Sequence, residues 1–356
     1  MTSKERVLTA FSRQQPDRVP VDYASNSAID ARLKKHFGLS KNDSEGLRRA
    51  LGVDFRCVNA PYRGPELHSD IPERGIKTDI WGVRRRWVEH ETGGYWDFCD
   101  FPLANATEEE AAEWPMPSPD DFDYNHAAAT ARAYEEYAVY TGGAGYPDII
   151  NKGGMLRGTE QSLVDLISED RAGLLLTKRR TDIQLEILRR TLEAADGAID
   201  FMHTGEDLGT QIAPMISLEL FRKQLKPIHA EFVNLARSYN IPVMIHSCGS
   251  SSWAFNDMIE MGISVVDTLQ PEARDMAPEF LKRNYGDRLA FHGCISTAGP
   301  VARGTAQETV DYCRNILDIM MPGGGYCFAP THQLQDNSPT ANVLAMYDIA
   351  SKHGFY

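Results

Sequence analysis

Val243-Met244-Ile245-His246-Ser247-Cys248-Gly249-Ser250 is a short apolar run that ends in an imidazole and a thiol. Its length, its branched side chains and the glycine that follows are those of a buried strand. Residues i and i+2 of a strand project to one face, so His246 and Cys248 reach toward a common point. Nitrogen with thiolate sulfur is a donor pair that zinc takes.

The pattern repeats on both sides. Helix-like segments at 127–137, 158–167, 170–195, 217–239, 253–261, 277–285 and 306–320 alternate with apolar runs at 199–203, 242–246, 263–269, 289–292 and 326–328. Strand and helix in strict alternation imply a parallel sheet, and this many units imply a closed (β/α)8 TIM barrel. Polar residues cluster just after the strands, at the end where barrel active sites lie.

The first part of the chain is less regular. Thr2 or Ser3 caps a helix reaching Phe11, Pro16-Asp17-Arg18 ends it, and 19–23 reads as a first buried strand whose polar end faces a cleft. A helix at 44–51 and a strand at 54–59 follow. Between 77 and 103, Trp81, Val83, Trp87, Val88, Tyr95, Trp96 and Phe98 are spaced by polar residues around Gly93-Gly94, which reads as a hairpin excursion. The acidic stretch 107–124 is a surface connection, with Trp114-Pro115-Met116-Pro117 held against something apolar. No linker divides the chain, so residues 1–356 are expected to form a single domain.

Composition narrows the function. With 356 residues, 42% hydrophobic and 24% charged, the chain has the makeup of an ordinary globular protein. A net charge of -13 disfavours nucleic acid as a partner. The opening Met1-Thr2-Ser3-Lys4-Glu5-Arg6-Val7 is not an apolar signal segment, and no apolar run is long enough for a bilayer, so a cytoplasmic location is expected. Six cysteines without dense spacing read as reduced thiols, with Cys57 and Cys313 as packing residues and Cys99 undecided.

Several strand ends offer further chemistry. In Thr204-Gly205-Glu206-Asp207-Leu208-Gly209-Thr210-Gln211, adjacent carboxylates cannot both face one point. Asp207 is read as facing the pocket and Glu206 as capping a helix or holding a basic group; the alternative is that both are solvated turn residues. Either carboxylate is a candidate catalytic group. His332, in the polar loop Thr331-His332-Gln333-Leu334-Gln335-Asp336-Asn337, is chosen as the third metal ligand. Cys294 is a rival at a strand end. Cys327, inside a strand, is a weaker rival that reads more naturally as a small core residue. Gln211, Gln270, Gln333 and Asn337 are candidates for orienting substrate.

Taken together, these stretches resemble the uroporphyrinogen decarboxylase superfamily, and within it the cobalamin-dependent (corrinoid) methyltransferase branch. The resemblance begins at Lys4-Glu5-Arg6-Val7-Leu8-Thr9-Ala10-Phe11 and Pro16-Asp17-Arg18-Val19-Pro20. It continues through Leu156-Arg157-Gly158, the Glu206–Gln211 segment, Ser217-Leu218-Glu219-Leu220-Phe221-Arg222, His246-Ser247-Cys248-Gly249-Ser250, Leu281-Lys282, Gly286-Asp287-Arg288-Leu289 and Gly323-Gly324-Gly325-Tyr326. It implies a distorted (β/α)8 barrel with a deep pocket. It also implies zinc bound by the His-x-Cys pair and a later residue, often cysteine, where this chain carries His332.

The activity implied is methyl transfer between a substrate heteroatom and the cobalt of a corrinoid on a separate protein. O-demethylation of a methoxylated substrate, with aromatic ethers among the candidates, is the preferred form, with a thiol as the other small-molecule acceptor. Decarboxylases of the superfamily carry an N-terminal arginine motif, whereas this chain reads Ala24-Ser25-Asn26-Ser27-Ala28 with no arginine until Arg32. Metal-independent decarboxylation of a tetrapyrrole-like or other acidic substrate is therefore the runner-up, since each unpaired buried carboxylate is costly. A non-catalytic protein that binds metal or corrinoid is the second alternative. The hairpin aromatics either roof the pocket, receive the corrinoid protein, or form a satellite core. Assembly into a homo-oligomer is left open.

Overall fold

Among the described residues ten strands, β1 (Phe55–Cys57), β2 (Ile76–Thr78), β3 (Arg84–His90), β4 (Gly93–Phe98), β5 (Ala138–Pro147), β6 (Phe201–Gly205), β7 (Val243–Ser247), β8 (Val265–Thr268), β9 (Ala290–Ile295) and β10 (Tyr326–Pro330), organise the molecule. They are seen in a computed structural model that describes residues 1–91 and 93–356. One sheet runs β1-β5-β6-β7-β8-β9-β10 with every neighbouring pair parallel, and β2-β3-β4 form a second, antiparallel sheet.

The barrel closes through segment 19–23. Asp22 N–H donates to the Phe328 carbonyl at 2.9 Å and Phe328 N–H to Pro20 at 2.8 Å, while on the other side Asp54 N–H donates to the Val21 carbonyl at 2.8 Å. The ladder goes no further because Pro20 has no N–H and the Val21 N–H is taken by the Asp54 carboxylate at 2.8 Å. One stave is thus a broken strand, and the (β/α)8 barrel is distorted there.

The N-terminal helix Ser3–Phe11 starts at a capping box in which Thr2 and Glu5 satisfy each other's backbone N–H groups. Its Phe11 ring packs edge-on against Phe201 at 4.9 Å, and Phe55, Phe201, Phe291 and Phe328 are fully buried in the main core. Each such side chain contributes roughly 1.5–3 kcal/mol by leaving water.

Several segments differ from the sequence expectation. Strand β5 was not expected, because Gly142, Gly143 and Gly145 look like a turn. It is a bulged strand whose pairing with β6 shifts register between Gly142 and Pro147. Gly142 sits at φ +93, where a Cβ would lie 2.2 Å from the His203 carbonyl oxygen, so only glycine allows that approach. Helix Ile149–Arg157 and the closing helix Thr340–His353 were also not expected. The segment expected as one helix at 217–239 is interrupted by a π-turn at Phe221–Leu225, which accommodates Pro227 near the start of helix Lys226–Ser238. The helix expected at 127–137 ends at Ala133.

The hairpin β3–β4 forms as expected, with Trp87 across from Trp96 and their rings 5.7 Å apart edge to face. Its base rests on a satellite core of Val83, Leu103, Ala111, Leu156 and Leu176, with Trp81, Trp114 and Met116 packed alongside. Trp81 therefore belongs to that core, whereas Trp87, Tyr95, Trp96 and Phe98 are exposed. Among the described residues no helix is long and apolar enough to cross a membrane.

Candidate metal centre

Parallel register sets the site. His246 on β7 pairs with Asp267 on β8, and Asp267 pairs with His292 on β9, so three adjacent strands present their polar residues on one rung. Asp267 receives all of them. His246 Nδ1 lies 2.9 Å from its Oδ2, His292 Nδ1 lies 2.6 Å from its Oδ1, and His203 Nε2 on β6 lies 3.4 Å from its Oδ2. His292 Nε2 continues to Asp22 at 3.1 Å.

The charges follow from this geometry. Burial by itself would raise the Asp267 carboxyl, yet the surrounding histidines hold it well below the ordinary carboxylate range. Burial opposes charge on His292 as well, but Asp267 and Asp22 outweigh it and push the imidazole up to about 10. His246 is likewise held well above its ordinary value, against burial, by Asp267 and Cys248. For His203, burial wins and its pKa is lowered.

On the other side of His246 lies a second group. Nε2 is 3.4 Å from Cys248 Sγ and 3.5 Å from Asp207 Oδ1, and the three side chains converge closely enough to share one ion. Tetrahedral zinc with ordinary bond lengths separates such donors by about 3.5 Å, so the set fits the metal. Asp207 is oriented by the Cys248 N–H, which donates to Oδ1 at 2.8 Å, and by Asn151, whose Nδ2 donates to Oδ2 at 2.9 Å. With Asp267 and Thr268 on Nδ1, His246 would turn Nε2 toward an ion held there, the carboxylate–histidine pairing that tunes zinc sites. Burial raises the Cys248 thiol, with His246 partly opposing the shift.

Glu206, adjacent to Asp207, does different work. It is fully buried and accepts the backbone N–H groups of Ile149 at 2.7 Å and Ile150 at 2.9 Å, with His229 Nε2 at 3.0 Å. It fixes the start of helix Ile149–Arg157 and does not line the cavity.

A cavity of about 620 Å³ opens beside His246 at the C-terminal ends of the strands. Trp96 and Phe98 of the hairpin form one wall, Tyr140 and His203 another, and His332 and Gln333 stand on the last loop. His332 is exposed on this wall and lies outside both groups of converging ligands. Gln270 braces the loop after β7, accepting Gly249 N–H at 2.7 Å and the Gln211 amide at 3.0 Å. Gln211, Gln270 and Asn337 do not line the cavity. Cys294 is buried with φ +66, and Cys327 is buried in β10 in register with His292; neither lies in a ligand group. Burial raises both thiols.

Sequence reading did not single out Asp267, His203, Asp22 or Asn151. The available signal was strand order: Val265-Val266-Asp267 ends one stave beyond His246, just as Phe291-His292 ends one stave further.

The Uroporphyrinogen decarboxylase (URO-D) family profile matches residues 144–353, which is more than half of the sequence, and the chain belongs to that family. Among solved structures it is similar to a methyltransferase from Methanosarcina mazei, with 17% identity over 99% of each chain and a TM-score of 0.62. At that identity the likeness speaks for the fold. No curated protein matches the chain.

Proposed function

We propose that the protein is a zinc-dependent methyltransferase that moves a methyl group between a substrate heteroatom and the cobalt of a corrinoid carried on a separate protein. O-demethylation of a methoxylated substrate is the preferred direction. The observation that carries the reading is the convergence of His246 Nε2, Cys248 Sγ and Asp207 Oδ1, of which His246 lines the open cavity and the other two stand behind it, with Asp267 on the far side of the imidazole. His332, on the cavity wall, is the proposed further ligand. A zinc ion in this site supplies Lewis acidity toward an ether oxygen or a thiol sulfur.

The chain's own residues do the remaining work. Asp267 and Thr268 hold His246 at Nδ1 so that Nε2 is the nitrogen left for the ion once its proton is displaced, Asn151 and the Cys248 N–H aim Asp207, and Gln270 fixes the loop that carries Cys248. The cavity opens at the strand ends, where a corrinoid carrier has access. Among the described residues its lining includes no lysine or arginine, and Arg32 donates to the carbonyls of Asp336 and Ser338. A polyacidic tetrapyrrole would leave its carboxylates unpaired there, so decarboxylation is disfavoured. The test is to incubate zinc-loaded protein with reduced cobalamin and methoxylated donors and follow methylation of the cobalamin by absorbance. Transfer that depends on zinc supports the reading, and cobalamin unchanged across aryl, alkyl and thiol-linked methyl donors contradicts it.

A further inference from the structure

The zinc site proposed at Cys248 uses only one edge of the His246 ring. Cys248 and Asp207 stand behind the cavity lining, whereas His203, His246, Asp267 and Thr268 all line the cavity. On that side His203, His246 and Asp267 each turn one ligand atom to a common point, with the three atoms within 4.8 Å of one another. Asp267 Oδ1 is taken by His292 at 2.6 Å, which leaves Oδ2 facing His246 Nδ1 at 2.9 Å and His203 Nε2 at 3.4 Å.

His203 is buried, and its Nε2 makes no hydrogen bond among the described residues although Asp267 is near. A buried polar atom left unpaired costs about 1–3 kcal/mol, so its presence at a cavity wall points to a partner that arrives from the cavity. The backbone beside it is strained as well. Thr268, a β-branched residue at φ +87, holds its hydroxyl 2.6 Å from His246 Nδ1. Such a conformation costs about 1–3 kcal/mol and clusters at functional sites. Two imidazoles and one carboxylate, with open positions toward a cavity, are a donor set for a divalent first-row transition ion. Without a thiolate it is the weaker of the two groups for zinc. A neutral imidazole carries one lone pair, so His246 serves an ion behind it through Nε2 or an ion on the cavity side through Nδ1, and the two positions are alternatives.

We propose that His203 Nε2, Asp267 Oδ2 and His246 Nδ1 form a second position for a divalent transition-metal ion, weaker than the one at Cys248 and open to the cavity. An ion entering through the cavity meets this position before it reaches Cys248. The position goes beyond the methyltransferase reading and does not depend on it.

The test is titration of the full-length Cys248→Ser variant with free cobalt(II), followed by visible absorbance and calorimetry. The variant is expected to bind cobalt(II) without a thiolate charge-transfer band, at least about tenfold more weakly than the wild type, and to release it on dialysis. Adding His203→Gln or His203→Ala is expected to weaken that binding by at least about a further tenfold. In the otherwise wild-type chain, His203→Gln is expected to leave the thiolate band and the retained zinc unchanged. Copper(II) bound to Cys248→Ser is expected to show coupling to two imidazole rings by electron spin-echo spectroscopy, a readout that needs no His203 variant to fold. Coupling to a single ring overturns the inference. So does a cobalt(II) affinity that a folded His203 variant leaves unaltered, or a folded Cys248→Ser that takes up no cobalt(II) at millimolar concentration. If the wild type shows no thiolate band while cobalt(II) binding still depends on His203, the zinc site at Cys248 falls and the cavity-side position stands. If the thiolate band appears and His203 has no influence in Cys248→Ser, the cavity-side position falls and the site at Cys248 stands.

Discussion

The floor and the outer wall of the cavity are built by opposite means. On the floor, His246, Asp267 and His292 stand in register on adjacent parallel strands, bonded to one another, with Asp267 and His292 buried and His246 partly so. On the wall, Trp87, Trp96 and Phe98 stand on a two-stranded projection with much of their surface in water. The floor is fixed by the barrel itself, because moving any of these side chains means shifting a strand. The wall hangs on a satellite core and leaves the barrel intact when altered. The difference teaches that the proposed metal site and the aromatic wall are built independently, so each can be altered without the other.

The largest effect is expected on the floor. We predict that His246→Ala abolishes zinc binding, measured as metal content after dialysis, while Trp96→Ala on the cavity wall retains it. Acidification sharpens the same contrast. In the metal-free protein His246 and Cys248 are both shifted upward, so each holds its proton at neutral pH and zinc must displace it. With two protons displaced per ion, zinc affinity is predicted to fall about a hundredfold for each pH unit below 7. A pH-independent affinity from competition titrations would refute this. Asp267→Asn, which leaves the ligands intact but weakens the support of His246 Nδ1, is predicted to lower zinc affinity about 10–100-fold.

Smaller effects separate neighbours in sequence. Glu206→Gln is predicted to cost about 1–3 kcal/mol of stability by weakening the charged cap on Ile149 and Ile150, with zinc content unchanged. Asp207→Asn is predicted to do the reverse. Denaturant melts alongside metal analysis distinguish the two, and loss of zinc from Glu206→Gln would count against the division of roles.

A separate effect concerns Asp148, at the start of the same helix. Burial, with Glu206 nearby, raises its carboxyl to about 7. The folded state then holds a proton that the unfolded chain releases near pH 4, so this group's contribution to stability falls as pH rises from about 4 to 7 and is constant above that. Asp148→Asn tolerates the left-handed backbone there and is predicted to flatten the dependence in that window. An unchanged pH slope would refute the assignment.

Much of the floor was legible in the sequence because strands carry a strict period. His246 and Cys248 two apart at the end of an apolar run point the same way in any parallel sheet, and Asp207 follows the preceding run in the same manner. Asp267 was not legible, since its role comes from lying between two histidines on neighbouring staves, a relation of register that spacing along one strand does not contain. Strand β5 was hidden by glycines that permit close approach to His203, and the same residues read as a turn. The hairpin was legible from its aromatic alternation and Gly93-Gly94, but which aromatic faced the cavity was not: Trp81 enters the satellite core while Trp96 and Phe98 reach the site. His332 was chosen for its donor atom, and the structure brings Asp207 to His246 and Cys248 where the loop leaves His332 exposed on the wall.

The measurement that bears most directly on the central claim is the zinc content of the dialysed wild-type chain beside Cys248→Ser. About one zinc per wild-type chain, largely absent from a Cys248→Ser variant that melts like the wild type, is the predicted result. A folded wild type without zinc after incubation with the metal, or a Cys248→Ser variant with full occupancy, would contradict it.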